Sequence, residues 1–479
     1  MDSTLKTALP KINILGPDDA GYDEERMRCW NKDVIHRPAA IVQPTTTEEV
    51  SQAVKVASSK KLDLVIACGR HGHDCMKEGA MVLDLGKMTE VTVDKKSMTV
   101  TVGGGARLGD MDKVCQQHGV ACVTGTNPDT GVVGLSTHGG AGYLSRQYGL
   151  AADNFVAAEV VTASGAIVHA TPANEHKDLL WAVAGGGSNF GVITALTMKA
   201  HPMDHVYGGL VINVAPTVAM ATRVVRTWRD WMPTQPRTVS VMCVLPCGAP
   251  VVPMAVVESD QALVPQAAGA KASLSCSPAL QQAFGSGCGA FGACVSVKML
   301  GRKQYHTELQ PQLEAMQAEG HHYMSSVNVP HLTDTMVDAL VAAARVDHPG
   351  GGEIILFSLT GAVADAKVES VAYAGAGRGK STVWIVIIGS WKPDADGANR
   401  AKTKAWVQRV KEEMKALGGA ESAHPLEGNM DADQGGLVQQ VWSSNELRLR
   451  EIKAKYDPDN FFKCNRNIKP TAAAYPVHS

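Results

Sequence analysis

A chain of 479 residues exceeds what one hydrophobic core usually serves, and 45% apolar residues suffice for two packed domains. A formal charge of −2 argues against nucleic acid or an acidic membrane as partner, and no apolar run is long enough to span a bilayer. The 11 cysteines are odd in number and scattered; Cys243 and Cys247 have no matching second pair, so they read as reduced thiols and no metal is expected. No apolar signal core follows Met1 and the chain does not end in a peroxisomal tripeptide, which makes the cytoplasm the expected location.

In chain order, Thr45 to Val50 reads as a helix start, with Thr46 or Thr47 as cap and acids in the first turn; the helix is predicted to run to about Lys60. Leu62 to Ala67 is a buried strand ending in Cys68-Gly-Arg-His-Gly-His73, and Met81 to Leu85 is another. Val91 to Val93 and Met98 to Val102 are strands around a turn, and Gly103 to Gly105 leads into a helix from Leu108 to His118. Strands follow at Phe155 to Thr162 and Ala166 to His169, then a short helical turn from Asp178 to Val183. After His201-Pro202 the texture changes. Long strands are predicted at Thr238 to Leu245, Met254 to Glu258, Ala293 to Met299, Glu353 to Leu359 and Thr382 to Gly389. Helices are predicted between them at Val218 to Trp231, Glu308 to Glu319 and Ala401 to Leu417, which suggests an antiparallel sheet backed by helices. Leu437 to Lys455 reads as a final amphipathic helix.

Three glycine-rich stretches stand after or between apolar segments. At Ala67 to His73 a strand end leaves N–H groups unpaired, a concave anion site that Gly69 and Gly72 permit; the plainer reading is an ordinary strand end with surface histidines. Gly131 to Leu150 has glycine at 131, 134, 139, 140, 142 and 149, and the interleaved Leu135, Tyr143, Leu144 and Leu150 argue for a packed rather than a flexible loop. Gly185 to Gly191 suits a phosphate or a ring edge, or a plain β-turn. None has the dinucleotide-binding spacing with an acid about twenty positions on, which argues against a nicotinamide dehydrogenase. Together the loops suggest an extended, phosphate-bearing cofactor.

Leu62 to His71, Met81 to Leu85, Gly134 to Asn154, Asp178 to Ala182 and Gly185 to Thr194, in that order, resemble the FAD-binding domain of the vanillyl-alcohol-oxidase superfamily. More narrowly they resemble the berberine-bridge-enzyme-like FAD-linked oxidoreductases, whose C-terminal segment is similar to Tyr456 to Phe462 and Asn465 to Ile468. The resemblance implies an α+β, two-domain flavoprotein: a PCMH-type FAD-binding domain over 1–205 (core about 36–203), a substrate domain over 206–429, and a C-terminal segment, 430–479, returning to the first domain. It implies covalent FAD on His71, with Arg70 in a family glycine position and His73 as the second candidate. The family's second link uses Cys in a Gly-x-Cys context. Here that context reads Gly125-Thr-Asn127, and Cys122 is offset by five residues, so a single attachment is expected. By the same resemblance, Thr124, Gly125, Thr126, Asn127, Thr130, Gly131, Gly134, Gly139, Gly140, Gly142 and Tyr143 wrap the pyrophosphate and ring. Asn189, Gly191 and Val192 meet the adenosine half, and Asn465 and Asn467 reach the flavin.

The implied reaction is removal of a proton from a hydroxyl, amine or phenol, hydride transfer to the flavin, and reoxidation by molecular oxygen. Glu427, near the family's tyrosine position, is the candidate for the base, and Asn429, matching its asparagine, is a second catalytic candidate; the plainer reading of Glu427 is a solvated loop carboxylate. The strand Thr382 to Gly389 has no ionisable residue, and Tyr373 to Arg378 lacks the family's His-Arg. His321, His322 and Tyr323 ahead of a strand are further candidates, and Trp384 and Trp391 line a pocket or fill the core. Two readings follow: an FAD-dependent oxidase of a small secondary metabolite, or a flavin-bearing fold used for ligand binding or a non-redox ring closure.

Overall fold

The computed structural model describes residues 2–260, 280, 283–284, 291, 293, 295–310, 320–346, 350–375, 377–418, 420–421 and 442–471. Strands β1 (Asn13–Leu15), β2 (Ala40–Gln43), β3 (Leu64–Ala67) and β4 (Met81–Asp84) form a sheet in the order β1-β2-β4-β3. β2, β4 and β3 are mutually parallel, with helix α1 (Thr47–Ser59) as the crossover between β2 and β3. Parallel strands need such a connection. The Thr46 hydroxyl caps α1 by accepting from Glu49 N at 3.2 Å, and the Glu49 carboxylate accepts in return from Thr45 N at 2.7 Å. Val50, Ala53, Val54 and Ala57 turn the helix's apolar face inward at the 3.6-residue period.

A second sheet is antiparallel, in the order β5-β6-β9-β7-β8, with β5 (Val91–Asp94), β6 (Thr99–Gly103), β7 (Phe155–Val161), β8 (Ile167–Ala170) and β9 (Val192–Lys199). Helix α2 (Leu108–His118) follows β6 with the predicted bounds and stops at Gly119, whose φ of 64° suits a left-handed C-cap. The turn expected at Asp178 to Val183 is part of a longer helix, α3 (Lys177–Gly186), which kinks at Ala184 and Gly185 as it enters the third glycine stretch.

Apart from a two-stranded pair of Val120–Ala121 with His201–Pro202, the remaining described strands make one antiparallel sheet. They are β10 (His205–Val214), β11 (Val239–Pro246), β12 (Val251–Glu258), β13 (Val295–Gln304), β14 (His321–Val329), β15 (Gly352–Leu359) and β16 (Thr382–Trp391). Their order is β13-β10-β12-β11-β15-β16-β14, with Ala420–Glu421 pairing beyond β14. Helices α4 (Val218–Trp231), α5 (Asp334–Ala344) and α6 (Ala398–Ala416) cover one face. Alternation sorts the side chains: Ile354, Leu356, Ile385 and Ile387 pack under these helices. Ile355, Trp384, Val386 and Ile388 face the other way and join the core of the flanking N-terminal sheet. The chain ends, as described, in helix α7 (Glu446–Tyr456) and an extended segment to Thr471. Among the described residues no helix is long and apolar enough to cross a membrane.

β2, β10 and α5 are among the elements that stand where the sequence pattern placed none. β2 is buried throughout and shows no alternation; Gly208 and Gly209 interrupt β10; α5 is almost wholly apolar. His321, His322 and Tyr323 begin β14 rather than precede a strand. Residues 311–319 and 437–441 of the expected helices lie outside the described residues.

A buried ion pair joins α2 to the turn after β13. His306 Nδ1 lies 2.7 Å from Asp112 Oδ1, and its Nε2 lies 3.0 Å from the Val120 carbonyl. Both partners are acceptors and favour the protonated ring, with Gln310 Nε2 also 3.3 Å from Nδ1. Burial pulls its pKa down, but Asp112 outweighs that and the net shift is upward from 6.5. The folded value therefore lies above the unfolded one. The stabilisation is complete below about pH 6.5 and is lost as pH rises through the folded value. Asp112→Asn should lower the thermal midpoint at mildly acidic pH and flatten its decline toward alkaline pH. Melting curves between about pH 6 and 9 check this, and an unchanged pH profile in the variant refutes it.

Candidate functional site

The end of β3, the short helix Val132–Ser136 and residues 464–466 line a cleft of about 150 Å³ that opens to solvent. Two backbones touch at its floor. A Cβ on Gly69 would lie 2.1 Å from Gly131 N, and one on Gly131 would lie 2.5 Å from Gly69 N, so neither position accepts a side chain. Gly69, Arg70, His71, Gly72, Thr130, Gly131 and Gly134 line the cleft together, although they come from two separated stretches.

Arg70 adopts φ 56°, the left-handed region, which disfavours a residue with a Cβ by about 1–2 kcal/mol. Its guanidinium is buried and pairs with Asp84 and with Glu25 Oε1, the latter at 2.7 Å. This anchor holds the turn that presents His71. The His71 ring stacks on Trp30 at 4.1 Å and 14°, and the other face of Trp30 stacks on His322 at 4.4 Å and 17°. His322 Nδ1 reaches Ser390 Oγ at 2.8 Å, so the column ties the cleft to β14 and β16. His73 is placed differently: Asn31 Nδ2 meets its Nε2 at 2.9 Å, and His73 is not on the cleft wall.

The other expected contacts spread around this centre. Thr124, Gly125, Thr126, Asn127, Gly139, Gly140, Gly142 and Tyr143 are not on the cleft wall. Gly142 packs against the Thr124 carbonyl, where a Cβ would lie 2.1 Å away. Asn127 spends its Oδ1 on Asp129 N at 3.0 Å, a turn contact. Leu135, Tyr143, Leu144 and Leu150 are buried, so the long glycine stretch is packed. Gly191 precedes the strand that Val192 begins, and neither lines the cleft, while the adjacent Ile193 does. Glu427 and Asn429 lie outside the described residues.

The C-terminal segment is pinned from below. Lys453 and Asp457 on and after α7 are 0% exposed. Lys453 Nζ donates to Asp457 Oδ2 and to the Asn189 carbonyl, both at 2.6 Å, and to the Phe462 carbonyl at 2.9 Å. Asp457 accepts in addition from Phe461 N and Phe462 N. Asn189 completes the knot, donating to the Arg466 carbonyl and accepting from Ile468 N at 2.8 Å. Asn465 is thereby carried to the cleft, while Asn189 itself serves the segment rather than the cleft.

Two cleft residues gave no sign in the sequence pattern. His138 Nδ1 donates to the Gly134 carbonyl at 2.8 Å, which leaves Nε2 as an acceptor. Burial, then the Arg466 charge, pushes its pKa down to about 4, so it is neutral near pH 7. Arg466 stands opposite, beside Asp74. The only hint was the position of His138 one helical turn after Gly134.

Residues 38–171 match the family model described as an FAD binding domain, and residues 429–469 match the one described as berberine and berberine like. The chain is 27% identical to an FAD-linked oxidoreductase of Dictyostelium discoideum, across 94% of this chain and 92% of that one. It is 33% identical to the (R)-6-hydroxynicotine oxidase of Paenarthrobacter nicotinovorans, across 46% and 48%. The solved glucooligosaccharide oxidase of Acremonium strictum, described with a 6-S-cysteinyl, 8α-N1-histidyl FAD, shares the fold at TM-score 0.79 and 21% identity, over 98% of this chain and 100% of that one. The chain thus carries an FAD-binding domain and a berberine-like C-terminal segment, and its relatives are FAD-linked oxidoreductases.

The residues present fit FAD. Asn465 Oδ1 and Asn467 Oδ1 are buried with no hydrogen-bond partner among the described residues, which leaves acceptors for the N–H and O–H groups of a flavin. Among the described residues no cluster could hold a metal. The knot that places these asparagines in this flavin enzyme can be cut. Lys453→Met leaves Asp457 buried without its cation and should cost ~3–5 kcal/mol in urea unfolding, whereas Lys455→Met, on an exposed pair, should cost under about 1 kcal/mol. Equal losses in the two variants would contradict this account.

Proposed function

We propose that this flavoenzyme oxidises a small organic molecule, of secondary-metabolite type, with molecular oxygen as the electron acceptor. We further propose that His71 tethers the FAD as a single covalent link. The observation that carries the tether is the placement of the two histidines: His71 lines the cleft, held by the Trp30 stack, and His73 is turned to Asn31. Asn127 at the family's cysteine position supports one link rather than two. FAD supplies the two-electron acceptor for a hydride removed from substrate. A division into an FAD-binding part over 1–205, a substrate part over 206–429 and a returning segment over 430–479 is part of the same reading.

The substrate class is argued from the sheet face that meets the glycine-rich loop. Met242, Phe357, Ala141 and Gly142 border a small cavity together with Ser145, Arg146, Ser240 and Ser358, and Ile355 and Trp384 lie in the core on that side. This mixed lining suits a small molecule with an apolar or aromatic body and a polar group. Glu353 has the same strand parity as Ile355 and Phe357. It is partly accessible, yet desolvated enough that burial pushes its carboxyl up to about 8. We take it as the candidate base in place of the strand that has none.

Anaerobic addition of a substrate library should bleach the yellow protein, with recovery in air; binding without bleaching would sink the oxidase reading. After acid precipitation, His73→Ala should retain flavin in the pellet and His71→Ala should not. A base of this kind works deprotonated, so activity should rise through about pH 8. Glu353→Gln should lose that limb and roughly 100-fold or more in kcat. A limb that persists in the variant assigns the proton to another group.

A further inference from the structure

Two thiols that no part of the oxidation uses meet beside the cleft. Cys29 Sγ and Cys75 Sγ lie 3.6 Å apart, at 1% and 8% exposure, from positions 46 residues apart in the chain. They need to close by about 1.5 Å to reach disulfide bonding distance. Cys75 is on the cleft wall and ends the turn His73–Cys75 that follows His71. Cys29 precedes Trp30, whose ring stacks on His71. The environment lowers the pKa of the Cys29 thiol, whose Sγ also lies 3.6 Å from the Arg26 carbonyl. The hydrogen bond from Cys75 holds its thiol below the ordinary value against the effect of burial, and the Arg70, Lys32 and His73 charges add to it. The other two thiols on the cleft wall lack such a partner: burial pushes Cys68 up to about 12, and Cys464 faces Lys77 Nζ at 3.3 Å. Cys115 and Cys122 also bond to each other, but neither borders the cleft.

We propose that Cys29 and Cys75 are a disulfide-forming pair, oxidised by hydrogen peroxide arriving through the cofactor cleft, and that the bond locks Trp30 against His71. The Cys29 thiolate attacks one peroxide oxygen, giving a sulfenic acid and water after protonation. The Cys75 sulfur then displaces the second oxygen as water. Two thiol hydrogens and one peroxide yield one S–S bond and two waters. The step does not need the flavin, so it stands or falls separately from the oxidase reading.

The test uses the purified full-length protein titrated with hydrogen peroxide, quenched, denatured, alkylated, digested and weighed by mass spectrometry. The expected product is a linked Cys29–Cys75 peptide lacking two hydrogens, reversible by dithiothreitol, absent from Cys29→Ser and from Cys75→Ser, and still present in Cys464→Ser. Full alkylation of Cys29 and Cys75 after peroxide would overturn the pairing, as would a link from Cys75 to Cys68 or Cys464. Amide hydrogen exchange over residues 27–33 should slow several-fold in the linked protein. Equal exchange in the two forms would overturn the locking of Trp30.

Discussion

The cofactor cleft depends on one buried charge. Lys453 is taken wholly out of water, and its three donors go to Asp457 and to the carbonyls of Asn189 and Phe462. A buried ammonium is tolerable only when paired and fully bonded, so the three acceptors must converge. Their convergence fixes where the C-terminal segment turns. It docks that segment on the third glycine stretch and delivers Asn465 to the cleft wall. Without it the cleft has two sides and no third.

The opposite wall is built by the same logic with different partners. Arg70 stands in a backbone conformation that favours glycine, and the Asp84 and Glu25 carboxylates offset that cost. The turn is thereby stiffened where it presents His71. Trp30 and His322 extend this stiffness across the molecule, because a stacked column of three flat rings links the FAD-binding sheet to β14 and β16. The floor is pure backbone, where Gly69 meets Gly131 at a distance that leaves no room for a Cβ. Charge, aromatic stacking and close backbone approach each hold one side.

Much of the local structure could be read from the chain. Thr46 caps α1 and Gly119 ends α2 because capping is a matter of a few neighbouring residues. β15 and β16 are legible as long apolar runs, which the sheet then sorts into two buried faces. β2, β10 and α5 could not be read, since full burial, paired glycines and an all-apolar helix erase the period that separates inside from outside. Within the site, the glycine stretches and His71 were legible through their family pattern. Trp30, His138 and Arg466 were not. Nothing near Trp30 in sequence says that it lies between histidines 41 and 292 positions away.

The sequence by itself determined the kind of molecule this is. Ordered glycine motifs, a histidine after a buried strand and a Tyr-Asp-Pro-Asp-Asn terminus sufficed to name an FAD fold and its attachment candidates. Each is a short-range pattern imposed by backbone conformation, and such patterns survive in one dimension. Tertiary structure alone decided which histidine lines the cleft, which asparagine reaches the cleft and which bonds to the C-terminal segment, and which thiols meet. Those outcomes depend on burial and on contacts between distant segments, and neither is set until the sheets have packed.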